Sequence, residues 1–327
     1  MKVLVTGGSG FIGTRLIDEL LKNGHEVTIF DKRDSEKYPQ LVTLGDVRDE
    51  KALTKACEGM DVIYNLAAEH ADNVTPISLY EEVNVGGAEN VVKAAEANGI
   101  KKIIFTSSVA IYGLNRGEPD ETFDAQPFNE YGRTKYEAEK IFRKWQEKSP
   151  ENSLVIIRPC VIFGENNRGN VYNLMRQIYL DKFIMVGSGE NKKSMGYVGN
   201  IAKLLSEMID AKEGLTLYNF ADKPDLKGIE IVNIIRNEMG KGEVKFKVPY
   251  FVGLLGGYAF DLLSLITGKK FPISSIRIKK FAADTTISTK RLQESGFKPA
   301  YSLEEGLRRM VRSEFLDKKE VNVNSAI

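Results

Sequence analysis

A parallel α/β sheet wound with helices on both faces is the fold class that three features of the sequence predict. Short apolar runs recur through the first part of the chain, VLVT, EVTIF, DVIYNL, KKIIFT and LVIIRP, each closing on small or polar residues. Between them lie stretches of helical periodicity such as FIGTRLIDELLK and NEYGRTKYEAEKIFRKW. Strands alternating with helices imply βαβ units and a parallel sheet. A glycine loop, GGSGFIG, separates the first run from the first helix. Sheets of this kind gather ligands at the carboxyl ends of their strands, so the residues that close each run are where chemistry is expected.

Lys2 to Thr6 is the first strand, and the helix after it ends at Gly24. Gly7, Gly10 and Gly13 have the spacing that lets backbone N–H groups approach a pyrophosphate, with the helix start at Phe11 and Ile12 aimed at its charge. This is the Rossmann-type arrangement. Glu26 to Phe30 is the second strand, closed by Asp31, eighteen residues beyond Gly13. A carboxylate there accepts both ribose hydroxyls and repels a 2′-phosphate, so NAD is expected over NADP. Lys32 and Arg33 beside it would tolerate a phosphate, which weakens the preference.

Leu41 to Leu44 is a third strand, and Asp49 of Gly45-Asp46-Val47-Arg48-Asp49 caps a helix from Glu50 to Cys57, with Asp46 and Val47 set to border an adenine. Asp61 to Asn65 is the fourth strand; Leu66, Ala67 and Ala68 follow, small enough to leave room for a cofactor. A long helix is expected from about Ile77 to Asn98, carrying Asn84 and stopped by Gly99. The fifth strand, Lys102 to Thr106, runs into Ser107, Ser108 and the segment to Tyr112-Gly113, and the sixth, Leu154 to Ile157, into Arg158-Pro159. The division expected is 1–167 for the dinucleotide-binding domain and 168–316 for a smaller C-terminal substrate-binding domain that partly returns to the first. Residues 317–327 lack apolar periodicity and are expected to be a mobile tail.

Tyr131-Gly-Arg-Thr-Lys135 carries the chemistry, on a helix that Asn129 can cap. Positions four apart share a helix face, so the lysine ammonium is expected to favour the ionised phenol. A tyrosine titrating near ~10 needs roughly three units of depression, about 4 kcal/mol, to act as a base near pH 7.

Composition narrows the partners. A formal net charge of +1 shows no basic footprint, so nucleic acid is not expected. Two cysteines, Cys57 and Cys160, exclude a disulfide framework, and two histidines, His25 and His70, are too few for most histidine-rich metal sites. No metal is expected. Met1-Lys2 leads directly into a strand, so no signal peptide is expected and the active part should face the cytoplasm.

TGGSGFIG, Asp31, GDVRD, NLAA, Asn84, TSSVAIYG, YGRTK and RPCVIFG occur in the order and spacing of the extended short-chain dehydrogenase/reductase family, the NAD-dependent epimerases and dehydratases. The resemblance covers about the first 165 residues strongly and loosens toward 310. It implies that Ser108 hydrogen-bonds the reacting sugar hydroxyl, that Tyr131 is the base and that Lys135 also holds the nicotinamide ribose. It adds Thr106 and Pro159 to the cofactor set and Tyr112 as a wall of the substrate pocket. Dehydratases of the family carry an Asp-Glu pair where this chain has Ser107 and Ser108, so epimerisation at carbon 4 of a sugar through a transient ketone is implied.

The second half bears on the substrate. Arg168 and the helix start at Asn170 are candidate diphosphate contacts. Lys193-Ser194 stands where soluble nucleotide-sugar epimerases have an Arg-Asp pair, and Arg277 is a second candidate clamp. Val248 to Gly268 has twenty-one residues and one charge, with Gly253, Gly257, Asp261, Ser264 and Gly268 on one stripe. Lys245 and Lys247 precede it, and Lys269, Lys270, Arg277, Lys279 and Lys280 follow. Asp261 near its middle argues against a membrane span, leaving either shallow insertion at an anionic surface or a buried helix packed through its glycines.

AAEHADNVTPISLY, IFGENNRGNVYNL, KKSMGYVGNI, NFADKPDL and GGYAFDLLSLITGKKF resemble the bacterial epimerases of polyprenyl-diphosphate-linked N-acetylhexosamines. That resemblance implies conversion of GlcNAc to GalNAc on undecaprenyl diphosphate for surface polysaccharide, by an enzyme at the cytoplasmic membrane face. A soluble UDP-hexose epimerase, a reductase that releases NADH and a non-catalytic NAD-binding sensor stay as alternatives, and pairing of the long helices into a homodimer stays open.

Overall fold

The structure, a computed structural model, describes residues 1–71, 74–114, 116–268 and 274–317; of Arg277 and Lys280 it describes the backbone alone. In chain order the elements are β1 (Lys2–Thr6), α1 (Phe11–Lys22), β2 (Glu26–Asp31), β3 (Val42–Leu44), α2 (Glu50–Ala56), β4 (Val62–Asn65), α3 (Ser78–Tyr80), a π-helical turn (Glu81–Gly86), α4 (Gly87–Ala97), β5 (Lys102–Thr106), a 3₁₀ turn (Val109–Tyr112), α5 (Glu130–Glu147) and β6 (Ser153–Pro159). There follow β7 (Val161–Phe163), α6 (Asn170–Tyr179), β8 (Met185–Val186), β9 (Lys192–Tyr197), α7 (Val198–Glu207), β10 (Gly214–Phe220), β11 (Asp222–Lys227), α8 (Gly228–Glu238), β12 (Lys247–Val248), α9 (Tyr250–Thr267), α10 (Ser275–Ala282), α11 (Lys290–Glu294) and α12 (Leu303–Val311).

Two compact units result. The first comprises residues 1–162, 198–221 and 287–300, the second 163–197, 222–286 and the chain from 301 onward. Two later segments, 198–221 and 287–300, belong to the first unit. The tail expected over 317–327 lies outside the described residues from 318 on.

The first unit is built on a seven-stranded sheet in the order β10-β6-β5-β4-β1-β2-β3, with every pair parallel. Alternation of side chains along each strand splits the apolar residues between two faces. Leu4, Ile63, Ile103, Phe105, Leu154 and Ile156 meet α4 and α5 through Val91, Ala95, Phe142 and Trp145. Val3, Val5, Ile29, Tyr64, Ile104 and Val155 meet α1 and α7 through Leu16, Leu20, Ile201 and Leu205. Both faces are covered, which is why these strands are apolar throughout rather than alternating with polar residues. The long helix expected over 77–98 is broken by the π turn, where an extra residue enters the ladder.

The second unit carries the antiparallel strands β11 and β9 and the short pair β12-β8. Its α8 and α12 are joined by Arg308 and Arg312, both bonded to Glu238. Helix α9 packs through the predicted stripe: a Cβ on Gly253 would strike Val186, one on Gly257 would lie 2.9 Å from Ser275 N, and Asp261 Oδ2 accepts from that same N–H at 3.1 Å. The rest of its circumference is open, with Phe251 66%, Leu255 67%, Leu265 83% and Ile266 73% exposed. The stripe holds the helix, yet the helix is not buried.

Candidate active site

The glycine loop is shaped for close approach. Gly7 has φ +71°, and a Cβ there would stand 2.6 Å from Ala67 N; one on Gly13 would stand 2.7 Å from Gly7 O. Gly10 caps α1 without a side-chain bond to the helix, so the N–H groups over Phe11 and Ile12 keep their capacity for an anion. The strand-end loop after β4 is pinned beside it: Thr6 Oγ1 donates to Asn65 Oδ1 at 2.7 Å, and Leu66 N donates to Thr6 O at 3.0 Å. Ala67 and Ala68 thus edge the cradle, and Thr106, 7% exposed, closes β5 nearby with Oγ1 donating to Asn65 O at 3.4 Å.

Asp31 stands at the tip of β2 with its carboxylate accepting from Ser9 N and from Arg33 N, each at 3.1 Å. Each oxygen retains a lone pair, as recognition of two ribose hydroxyls requires. Lys32 is exposed. Asp46 is held by Arg48 at 2.8 Å, and that hydrogen-bonded guanidinium keeps its carboxyl below the usual range. Val47 is buried against Gly87, where a Cβ would come within 3.0 Å of it. A pyrophosphate cradle with an acidic ribose partner fits a dinucleotide. Pro159 is buried at the end of β6, paired with Phe220 of β10.

Ser108 and Tyr131 are brought together by the start of α5. Asn129 accepts from Gly132 N at 2.9 Å, capping the helix as predicted, and a Cβ on Gly132 would lie 2.5 Å from Ala110 O. The helix can therefore close on the 3₁₀ turn that Ser108 caps by accepting from Ala110 N at 3.1 Å. Burial pushes the Tyr131 phenol up, with the Ser108 side chain opposing it. Burial likewise pushes the Lys135 amine down to about 7, opposed by Glu139. Both groups leave water, and desolvation penalises each charged form.

Asn84 accepts from Glu69 N at 2.8 Å and donates to Glu69 O and Thr134 Oγ1, both at 3.0 Å, tying the π turn to α5 and the 69 loop. Tyr112 is 1% exposed, with its hydroxyl donating to Asn219 Oδ1 and accepting from Arg158 Nη1, each at 2.7 Å. It is packed in the core. The neighbouring Ser107, read as a dehydratase position, is 2% exposed, and its hydroxyl has no partner among the described residues.

In the second unit, Arg168 Nη1 pairs with Glu314 Oε2 at 2.9 Å and its guanidinium lies 4.3 Å from the Tyr172 ring centroid. Asn170 begins α6 and is exposed. Lys193 donates to Ala283 O, and burial lowers its amine against the pull of Asp284. The Arg277 side chain lies outside the described residues, as do Lys269, Lys270 and the side chain of Lys280. Sequence reasoning passed over Glu139 and Arg158, a buried pair at 2.7 Å; the signal available was the i+4 spacing of Glu139 from Lys135.

Comparison with known proteins places this geometry. The family model described as "NAD dependent epimerase/dehydratase family" matches residues 3–221. Over 323 residues the chain is 48% identical to the N-acetyl-alpha-D-glucosaminyl-diphospho-ditrans,octacis-undecaprenol 4-epimerase of Escherichia coli O157:H7, covering 98% of this chain and 97% of that one. It is 28% identical to the UDP-glucose 4-epimerase of Vibrio cholerae, covering 95% and 94%. In structure it is similar to the Thermus thermophilus UDP-glucose 4-epimerase complex with NAD, with TM-score 0.73, 23% identity and coverage of 96% and 98%. The UDP-N-acetylglucosamine 4-epimerase from Bacillus cereus gives TM-score 0.76 at 17% identity, covering 95% and 98%. The chain belongs to the NAD-dependent epimerase/dehydratase family.

Proposed function

We propose that the chain is an NAD-dependent 4-epimerase of a polyprenyl-diphosphate-linked N-acetylhexosamine, interconverting GlcNAc and GalNAc on undecaprenyl diphosphate. The observation that carries it is the 48% identity over 98% of the chain to the Escherichia coli O157:H7 enzyme of that name. NAD when bound supplies an acceptor for the hydrogen at carbon 4 and returns it to the opposite face. Tyr131 takes the proton of the sugar 4-hydroxyl at its phenolic oxygen, and Ser108, whose side chain bears on that phenol, orients that hydroxyl. Lys135, one helical turn on, holds the nicotinamide ribose and supplies positive charge that offsets the cost of the phenolate. Gly7, Gly10 and Gly13 seat the pyrophosphate and Asp31 the ribose. In the second unit, Arg168, Asn170, Lys193 and Arg277 are proposed to serve the substrate diphosphate, Arg168 exchanging Glu314 for it.

The lipid preference is supported by α9. A polyprenyl tail stays in the bilayer, so the enzyme must meet the membrane surface. The apolar residues Phe251, Leu255, Leu265 and Ile266 are exposed, and Lys245 and Lys247 precede them. The chain is proposed to lie at the cytoplasmic face of the membrane by this helix.

The deciding assay compares turnover of lipid-linked GlcNAc and of UDP-GlcNAc by one preparation. Preference for the lipid-linked sugar is expected, and efficient use of the nucleotide sugar alone would sink the proposal in favour of a soluble UDP-hexose epimerase. Tyr131→Phe is expected to cut kcat by a factor of about 10² to 10⁴ while NAD stays bound. Persistent activity would place the base elsewhere.

A further inference from the structure

Lys135 and Glu139 stand four residues apart on α5, and both are buried, at 2% and 0% exposure. Such positions share a helix face, so both side chains rise from one buried face of α5, with the amine 4.3 Å from the Phe105 ring centroid. Glu139 is also bound from the sheet. Its oxygens accept from Arg158 Nε at 2.9 Å and Nη2 at 2.7 Å, while Arg143 approaches to 3.8 Å. Arg158 donates from Nη1 to Tyr112, and Tyr112 donates to Asn219 on β10. Asn219 in turn donates from Nδ2 to Pro119 O and Ser288 O at 3.2 and 3.1 Å. A continuous set of bonds thus fixes the Glu139 carboxylate from strands β6 and β10.

An apolar core would avoid the desolvation cost of such a pair. Its retention one turn from the amine calls for a role in the site. We propose, resting on the reading of Lys135 given above, that Glu139 is a positioning residue of the reaction: oriented by Arg158, its carboxylate keeps the buried Lys135 amine cationic and in place. The electrostatic direction agrees, since Glu139 opposes the lowering of the amine by burial.

Other ionisable groups packed around α5 have partners of their own. Glu81 and Glu130 pair with Arg133, Glu82 with Arg48, Lys93 with Glu50, Glu96 with Lys148 and Glu137 with Lys140. Lys102, at the far end of β5, donates to Ile209 O and Ala211 O. Glu89 is exposed.

The test follows the Lys135 amine by NMR in lysine-¹⁵N-labelled protein, assigned with Lys135→Met, alongside the alkaline limb of the kcat profile. Glu139→Gln removes the carboxylate and strands the Arg158 cation, so both midpoints are expected to fall by about one pH unit. Arg158→Met leaves the carboxylate unshared and is expected to raise them, while Glu139→Asp keeps them near the wild-type value. A support for the helix alone would not displace one midpoint in two directions. Displacement in the same direction by both variants, or none in Glu139→Gln, overturns the proposal. Should Arg158→Met not fold, Glu139→Gln with Arg158→Met leaves no orphaned charge; its midpoint must lie below wild type, and one at or above it is equally fatal. The NMR titration uses no sugar, so a failed epimerase assay with a displaced midpoint overturns the activity and leaves this inference standing.

Discussion

Burial moves Lys135 and Tyr131 in opposite directions on the pH scale, and the lysine carries a cost to stability that can be measured. Its folded value is about 7, against ~10.4 in an unfolded chain. The unfolded state therefore binds more protons between these values, so the penalty is full below pH 7 and fades as pH rises toward the unfolded value. Lys135→Met is expected to stabilise the protein by about 2 kcal/mol or more at pH 6.5, and by less at pH 9.5, while turnover is lost. Urea denaturation at the two pH values checks it, and an equal gain at both would assign the effect to packing. Gly7→Ala, with its Cβ 2.6 Å from Ala67 N at φ +71°, is expected to weaken NAD retention at least tenfold, read as cofactor released on gel filtration. At this scale, spacing singled out Tyr131, Lys135 and the glycines, and resemblance to the family added Ser108. The charge states stayed hidden because desolvation depends on what covers a side chain. The bonds of Tyr112 were not legible, because its partners, Arg158 and Asn219, come from strands distant in sequence.

Helix α9 shows what periodicity conveys about an element and what it withholds. Its glycine and aspartate stripe was legible at i, i+4 and i+8, and it is the face that packs. The partner helix α10 was not, because nothing local marks which later segment meets Ser275 to Asp261 and Gly257. Leu265→Glu with Ile266→Glu acts on side chains 83% and 73% exposed, so the fold should be kept. Affinity for anionic phospholipid vesicles should fall about tenfold or more, given roughly 1.5 to 3 kcal/mol for burying each such side chain. Unchanged co-sedimentation with vesicles would argue that this face meets something other than lipid. Gly257→Leu acts on the other side, driving a side chain into the Ser275 backbone, and faster amide exchange over 275–282 is the expected readout. The π turn at Glu81–Gly86 was invisible to pattern, since it still reads as helix; Asn84 within it is bonded to Glu69 and Thr134.

The molecule as a whole is less sequential than its motifs. All of the cofactor and catalytic candidates precede residue 160, yet the sheet that supports them takes its outermost strand, β10, from residues 214–220. Nothing in LTLYNF tells which sheet it joins, so the expected return of the later chain to the first domain carried no residue numbers. Asn219 on that strand also completes the bonds of Tyr112. Until β10 arrives, β6 presents an unpaired edge of Leu154, Val155, Ile156 and Ile157, the kind of border that invites pairing between chains. During synthesis at about 5–20 residues per second, that border waits several seconds for its neighbour to leave the ribosome. Fragments released before it emerges should clump instead of folding, and any shortened form meant to hold NAD must carry the distant strand with it.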